Sequence, residues 1–202
     1  YTLLMSNVGL AAGATLFRRL SFDTATAFAP LGLVSDAAMT ITARPGFPAE
    51  DLPTLIREIH QRGEALNMGT AGLASAANLC GLLIQQQAQN RVTIVAFRGT
   101  APAITELMAG RIDLLCDQAT NTTPFIRDNR LRAYAVTSTV RLAGMPEVPT
   151  TTEARAAGII MSTWHGLFAP AGTPQAIQER LNAALLAALR DERLRARFAE
   201  LQ

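Results

Sequence analysis

The segment between Gly69 and Asn78 is the part of the sequence best suited to hold a ligand. It consists of small residues, follows a short apolar run and precedes a helical pattern, so it brings free backbone amides and a helix dipole to one point. Gly72 allows close approach of the backbone, and Ser75 is either the N-cap or a hydroxyl donor. Both glycine-rich phosphate motifs are absent, which favours a carboxylate. The alternative is a helix cap that binds only water.

Two further loops, Met5–Gly9 and Ala96–Ala103, also follow strand-like segments and precede helix-like ones. Ligands of open α/β sheets bind beyond the carboxyl ends of the strands, so the three loops are predicted to share one pocket. Arg98 is either a partner for a ligand carboxylate or an ordinary surface arginine. Asp117 ends another strand; it contacts an amine or hydroxyl of the ligand, caps the next helix or pairs with Arg98.

Sequence signals for catalysis are weak. The chain has two histidines and lacks the motifs G-x-S-x-G, C-x-x-C and H-E-x-x-H. A triad of Ser75, His165 and Asp117 can be drawn, but most chains permit one, so no catalytic residue is predicted. All 18 basic residues are arginine, which removes lysine Schiff-base chemistry. No cofactor and no metal ligand is indicated.

Strand-like and helix-like segments alternate along the chain, which predicts an α/β fold with largely parallel sheets. The predicted strands are Thr2–Met5, Leu31–Ala43, Ala65–Met68, Thr93–Ala96, Leu114–Cys116, Ala133–Thr137 and Trp164–Ala169. The predicted helices are Ala11–Arg19, Ala49–Arg62, Ser75–Gln87, Ala101–Ala109, Thr123–Asp128, Thr151–Ala157 and Pro174–Leu201, the last with Thr173 as its N-cap.

The apolar segment Leu31–Ala43 is long for a strand and is interpreted as a hinge between two lobes. The chain begins inside a strand pattern, so it is interpreted as a fragment of a longer protein. Cys80 and Cys116 lie in apolar surroundings; two buried thiols are favoured, and a bridge in an oxidising compartment stays open. The net charge of +2 indicates no nucleic-acid partner, and no apolar run approaches the ~18 residues of a membrane helix.

Seven stretches together resemble one family. They are YTLLM (1–5), FAPL (28–31), GTAG (69–72), FRGTAPA (97–103), AYAVTS (133–138), PEVPT (146–150) and WHGLFAPAGTP (164–174). In this order and spacing the chain resembles the periplasmic solute-binding proteins of tripartite tricarboxylate transporters, the Bug family. The resemblance extends along essentially the whole chain.

The resemblance implies a type II periplasmic-binding-protein fold, in which two α/β lobes with mainly parallel sheets are joined by a hinge and close on a ligand. Residues 1–43 and 159–202 are expected to form lobe 1, and residues 44–158 lobe 2. The implied ligand is a dicarboxylate, a tricarboxylate, an acidic amino acid or an aromatic acid, held mainly by amides, hydroxyls and waters. The implied contacts are Ser6, Asn7, Val8, Thr70, Ala71, Gly72, Ser75, Ala76, Arg98, Gly99, Thr100, Asp117 and Trp164.

The same resemblance implies delivery of the ligand to membrane transporter subunits, a periplasmic location and a signal peptide in the precursor. The chain departs from the family pattern at Phe97 and His165, where tyrosine is usual, and these changes affect side-chain specificity rather than the backbone site. The alternative is the ligand-sensing effector domain of a LysR-type transcription regulator. A third interpretation is a hydrolase or transferase on a doubly wound sheet.

Overall fold

The computed structural model describes residues 2–200, so Leu201 at the end of the predicted C-terminal helix lies outside the described residues, as do Tyr1 and Gln202. The chain divides into two compact units. The first unit contains residues 2–36 and 163–200, and the second contains residues 37–162. The lobe bounds and the hinge expected from the sequence stay predictions.

Strands and helices alternate along the chain, and the predicted α/β class is confirmed. The strands are β1 (Leu4–Asn7), β2 (Phe28–Ala43), β3 (Asn67–Thr70), β4 (Thr93–Ala96), β5 (Leu114–Gln118), β6 (Arg132–Val136) and β7 (Ser162–Pro170). The helices are α1 (Val8–Leu16), α2 (Leu52–Arg62), α3 (Ala76–Ala88), α4 (Thr100–Met108), α5 (Ala119–Arg127), α6 (Gln175–Arg190) and α7 (Glu192–Glu200). Within residues 2–200, no helix combines the length and hydrophobicity needed to cross a bilayer.

The first unit is built around β7. In the strand order β7 lies between β1 and β2, and β2 belongs to this unit up to Asp36. β1 pairs antiparallel with β7, so that Asn7 lies opposite His165. Because opposite residues of an antiparallel pair share one face, these two side chains are neighbours at the carboxyl end of β1.

The second unit contains a mixed sheet. β3 pairs in parallel with β4 and with β5, whereas β2 pairs antiparallel with β5 and with β6. The three parallel strands therefore end at one edge, which is called the carboxyl edge below. Every loop that leaves this edge leads directly into a helix: β3 into α3, β4 into α4 and β5 into α5.

Helices cover both faces of this sheet. On one face α4 and α5 contribute to a buried cluster that contains Ile104, Leu107, Leu115, Val136 and Met145. On the other face α3 packs closely on β3, because a Cβ atom at Gly81 would come within 2.8 Å of Met68 Sδ. The two faces alternate along β5, as the period of a strand requires.

Two helix predictions near the C-terminus are wrong. Residues 151–155 form turns rather than a helix, since the Thr151 hydroxyl bonds to the carbonyl of Ile159 at 2.8 Å and closes the segment. The predicted helix 174–201 is interrupted at Asp191. The carboxylate of Asp191 accepts the amides of Arg193 and Leu194 at 2.9 and 3.1 Å, which is the geometry of a new N-cap.

The predicted N-cap of the C-terminal helix is also wrong. Pro174 occupies the N-cap position of α6, and no side chain caps this helix start. The Thr173 hydroxyl instead donates to the carbonyl of Pro170 at 2.7 Å. The preference of threonine for N-cap positions therefore predicted the start of α6 to within one residue, but the capping hydrogen bond that it implies is not formed.

Cys80 of α3 and Cys116 of β5 form a disulfide, with their Cα atoms 6.1 Å apart. The favoured interpretation of two separate thiols is therefore wrong. Both residues are fully buried. The bond ties α3 to the central strand of the second unit, and disulfides of this kind persist in oxidising compartments.

We predict that removing this disulfide lowers the stability of the second unit. The bond closes a separation of 36 residues, for which the chain-entropy account gives about 4 kcal/mol. Urea unfolding of the wild type and of the Cys80→Ala/Cys116→Ala variant measures the difference. Equal unfolding midpoints, with the bond confirmed by mass in the wild type, would contradict the prediction.

Candidate functional site

The loops that leave the carboxyl edge of the second unit converge. The amide of Phe97, after β4, donates to the carbonyl of Thr70 in β3 at 2.9 Å. A Cβ atom at Gly72 would lie 4.0 Å from the carbonyl oxygen of Phe97. The Thr100 hydroxyl at the start of α4 donates to Asp117 Oδ2 in β5 at 2.8 Å. The structure thus brings together the parts of the predicted site that follow β3, β4 and β5.

The loop after β3 is held by its own side chains. Ser75 Oγ donates to the carbonyl of Gly72 at 2.6 Å and accepts the amide of Asn78 at 3.2 Å. The amide side chain of Asn78 donates to the carbonyl of Leu73 at 2.7 Å. Of the two roles predicted for Ser75, the structure shows the N-cap. The role of Asn78 in closing this loop was not recognised from the sequence.

The first turn of α3 presents backbone donors without acceptors. Within residues 2–200, the amides of Ala76 and Ala77 have no hydrogen-bond partner. These two residues are only 7% and 3% exposed. The hydroxyl of Thr70, in the adjoining strand end, is also buried and unpaired in the described part of the chain. Unpaired buried donors cost free energy, and a helix start with free amides favours a negatively charged acceptor.

The start of α4 lies at the same edge and has a similar character. Gly99 precedes it with a φ of 104°, a conformation that favours glycine, and no side chain caps the helix. The amides of Thr100 and Ala101 have no acceptor in the described residues, and Pro102 has no amide hydrogen to offer. Arg98 is exposed and forms no ion pair within residues 2–200.

Asp117 joins α4 to β5 and is only 2% exposed. Besides the Thr100 hydroxyl, its carboxylate accepts the amide of Gln118 at 2.7 Å and the side-chain amide of Asn121 at 2.8 Å. Burial raises the pKa of Asp117, and the three hydrogen bonds oppose that rise. Two roles predicted for this residue are not formed: Gln118 is the N-cap of α5 and no side chain within residues 2–200 caps that helix start, and Asp117 does not pair with Arg98. Asn121, four residues along, is a partner that the sequence analysis missed.

The remaining predicted contacts belong to the first unit. Ser6 and Asn7 end β1, and Val8 begins α1. Asn7 Oδ1 accepts the amide of Gly9 at 3.0 Å and caps this helix. Trp164 is half-buried in β7.

His165, which follows Trp164, was considered from the sequence only in the rejected triad and as a departure from the family pattern, and it was not predicted to contact the ligand. Its Nδ1 lies 3.1 Å from Ser35 Oγ, and it faces Asn7 across the strand pair. The sequence signal that could have drawn attention to His165 is that the chain contains only two histidines.

This chemistry favours binding over catalysis. The Ser75 hydroxyl is committed to its own loop, and the Asp117 carboxylate is committed to Thr100, Gln118 and Asn121. The Ser75–His165–Asp117 triad therefore has no support. Among the described residues, no group of His, Cys, Asp or Glu side chains is arranged to hold a metal ion.

Comparison with known proteins gives relatives along the whole chain. A UPF0065 protein from the TAR-I ttuE-ttuC' intergenic region of Agrobacterium vitis is 38% identical over 201 residues. That alignment includes 100% of this chain and 58% of the relative, so the chain spans little more than half the length of this curated relative.

Two solved structures are similar to both the fold and the sequence. MatC (Rpa3494) from Rhodopseudomonas palustris, with bound malate, has a TM-score of 0.92 and 34% identity over 98% of this chain and 68% of its own. The periplasmic binding protein BugD has a TM-score of 0.93 and 34% identity over 100% of this chain and 67% of its own. A family described as "Tripartite tricarboxylate transporter family receptor" (TctC) matches residues 1–201. The chain therefore belongs to the TctC family of tripartite tricarboxylate transporter receptors, which includes the Bug proteins.

Proposed function

We propose that the carboxyl edge of the second unit binds the carboxylate of a small organic acid. The observation that carries this proposal is the pair of buried, unpaired amides at Ala76 and Ala77. A carboxylate supplies acceptors for both amides and places negative charge at the positive end of the α3 dipole. The malate bound by MatC is a ligand of this chemical class.

The second helix start extends the site. The amides of Thr100 and Ala101 add donors beside the loop after β3, and the exposed guanidinium of Arg98 supplies positive charge. Small side chains at Ala71, Gly72 and Ala76 leave the backbone accessible. Asp117 serves this site by holding Thr100 in place rather than by contacting the ligand. We retain Ser6, Asn7, Val8 and Trp164 of the first unit as proposed contacts.

We further propose that the complete protein is a periplasmic receptor that captures this acid and delivers it to the membrane subunits of its transporter. Family membership and the likeness to the periplasmic protein BugD support this role. The buried disulfide is consistent with an oxidising compartment. The protein binds its ligand and does not transform it. These supports favour the receptor over the effector domain of a LysR-type regulator.

Binding is tested by calorimetric titration of the full-length protein with a panel of C4 to C6 dicarboxylates, citrate, glutamate and benzoate. We expect at least one acid to bind and the corresponding amide, which lacks the negative charge, not to bind. A folded protein that binds none of the panel would contradict the proposal. Native mass spectrometry of freshly purified protein tests it independently through a co-purifying acid.

The Gly72→Ala substitution tests the loop itself. Its φ of +120° is unfavourable for alanine, so the loop must shift, and we expect the dissociation constant to rise about tenfold or more. Gly46→Ala is the matched control, because Gly46 also has a positive φ, +70°, with open space around the added methyl group. Both variants lose stability by roughly 1–3 kcal/mol. Equal affinity of the two variants would remove the loop from the site.

The raised pKa of Asp117 predicts a pH dependence of stability. The folded state retains the Asp117 proton at pH values where the unfolded state, with a pKa near the ordinary 3.8, has lost it. The contribution of this group is therefore fully present below the unfolded pKa and declines as the pH rises through the folded pKa. Asp117→Asn keeps the shape and cannot ionise, so we expect it to become more stable relative to wild type as the pH increases from about 4. Urea unfolding across pH 3.5 to 8 measures this difference, and the opposite trend would refute it.

A further inference from the structure

We propose that the Cys80–Cys116 disulfide is a positioning element of the carboxylate site and sets its affinity for the ligand. This inference rests on the proposed function of the carboxyl edge. It assigns to the cross-link a role beyond stability, because Cys80 lies in α3, which carries the Ala76 and Ala77 amides, and Cys116 precedes Asp117, which holds the start of α4.

On the side of α3, the bond is attached close to the anion-binding turn. Cys80 follows the unpaired amide of Ala76 by four residues, which is about 6 Å along a helix axis. Asn78, between them, holds the loop through its bond to the carbonyl of Leu73. Because a helix is stiff over one turn, fixing Cys80 fixes the direction in which the amides point.

On the side of β5, the bond is attached next to Asp117. Cys116 directly precedes this aspartate, whose carboxylate holds the Thr100 hydroxyl at 2.8 Å. Thr100 is the first residue of α4 and carries one of its unpaired amides. A continuous path therefore leads from the α3 amides through the disulfide and Asp117 to the α4 amides. In this way the cross-link fixes the two groups of donors relative to one another.

Noncovalent packing also holds α3 on the sheet. One of these contacts is that of Gly81 with Met68, whose flexible side chain adapts to movement of the helix. Donors that must converge on one anion lose affinity when they have to be ordered at the moment of binding. A covalent bond removes that cost before the ligand arrives.

The inference also links binding to the redox compartment. Forming the bond removes two protons and two electrons from the Cys80 and Cys116 thiols, and a disulfide-bearing oxidant accepts the electrons and becomes a dithiol. The reduced chain then binds acids weakly, and the chain becomes a tight binder only after it has reached an oxidising compartment.

Hydrogen exchange of the ligand-free, full-length protein tests the positioning role without any assumption about the ligand. The amides of Asn78, Leu79 and Gln118 all donate to atoms of the site, namely to Ser75 Oγ, Ser75 O and Asp117 Oδ1. In Cys80→Ala/Cys116→Ala we expect their exchange to accelerate about tenfold or more relative to a destabilised control.

The control variant is Met145→Ala. Met145 is fully buried in the cluster that contains Leu115, on the face of the sheet opposite the disulfide. Its truncation leaves a cavity and destabilises the second unit without touching the site. Exchange at Asn78, Leu79 and Gln118 that is equal in the two variants would overturn the inference.

Titration with malate, or with whichever acid of the panel binds the oxidised wild type, gives the second measurement. We expect the dissociation constant to rise about tenfold or more in the cysteine variant and less than about twofold in Met145→Ala. Equal affinities in the two variants would also overturn the inference. If the oxidised wild type binds no acid, the proposed function fails, while the exchange data still decide whether the disulfide positions these loops.

Discussion

The proposed function of the second unit depends on the need of the buried Ala76 and Ala77 amides for an acceptor. Ala76 and Ala77 in the first turn of α3 are only 7% and 3% exposed, and no group within residues 2–200 accepts their amide hydrogens. The folded chain therefore leaves two unpaired amide donors at the N-terminus of α3, where the helix dipole already favours negative charge. The carboxylate that we propose as the ligand satisfies both requirements. The proposed site is therefore a property of main-chain geometry, and side chains serve mainly to maintain it.

The surrounding residues maintain that geometry in distinct ways. Ser75 and Asn78 close the loop after β3, so that their polar groups are used within the protein and the amides beyond them are left free. Asp117 joins the start of α4 to β5 through Thr100. The disulfide then links α3 to the residue before Asp117. Parallel pairing of β3 with both neighbours places all of these groups at one edge.

The sequence predicted the α/β class and the strand Thr93–Ala96, because both depend on the local periodicity of apolar residues. It predicted the small-residue loop because glycine, here Gly72, readily adopts a positive φ. It did not reveal the disulfide or the bond between Asp117 and Asn121, since these depend on which groups meet in space. The turns at 151–155 were mistaken for a helix because the local propensity is helical, whereas the chain is closed by a hydrogen bond from Thr151 to the more distant Ile159. At Asp191 a local interaction decides the structure instead, because its side chain caps a new helix and interrupts an apolar stripe that is continuous in the sequence.

The most direct measurement of the central claim is the proton chemical shift of the Ala76 and Ala77 amides during titration with a dicarboxylate that the protein binds. A hydrogen bond to a carboxylate moves an amide proton strongly downfield, and the account predicts this for both residues, with little change at Gly46. Saturable binding that leaves the Ala76 and Ala77 resonances where they are in the free protein would contradict the account.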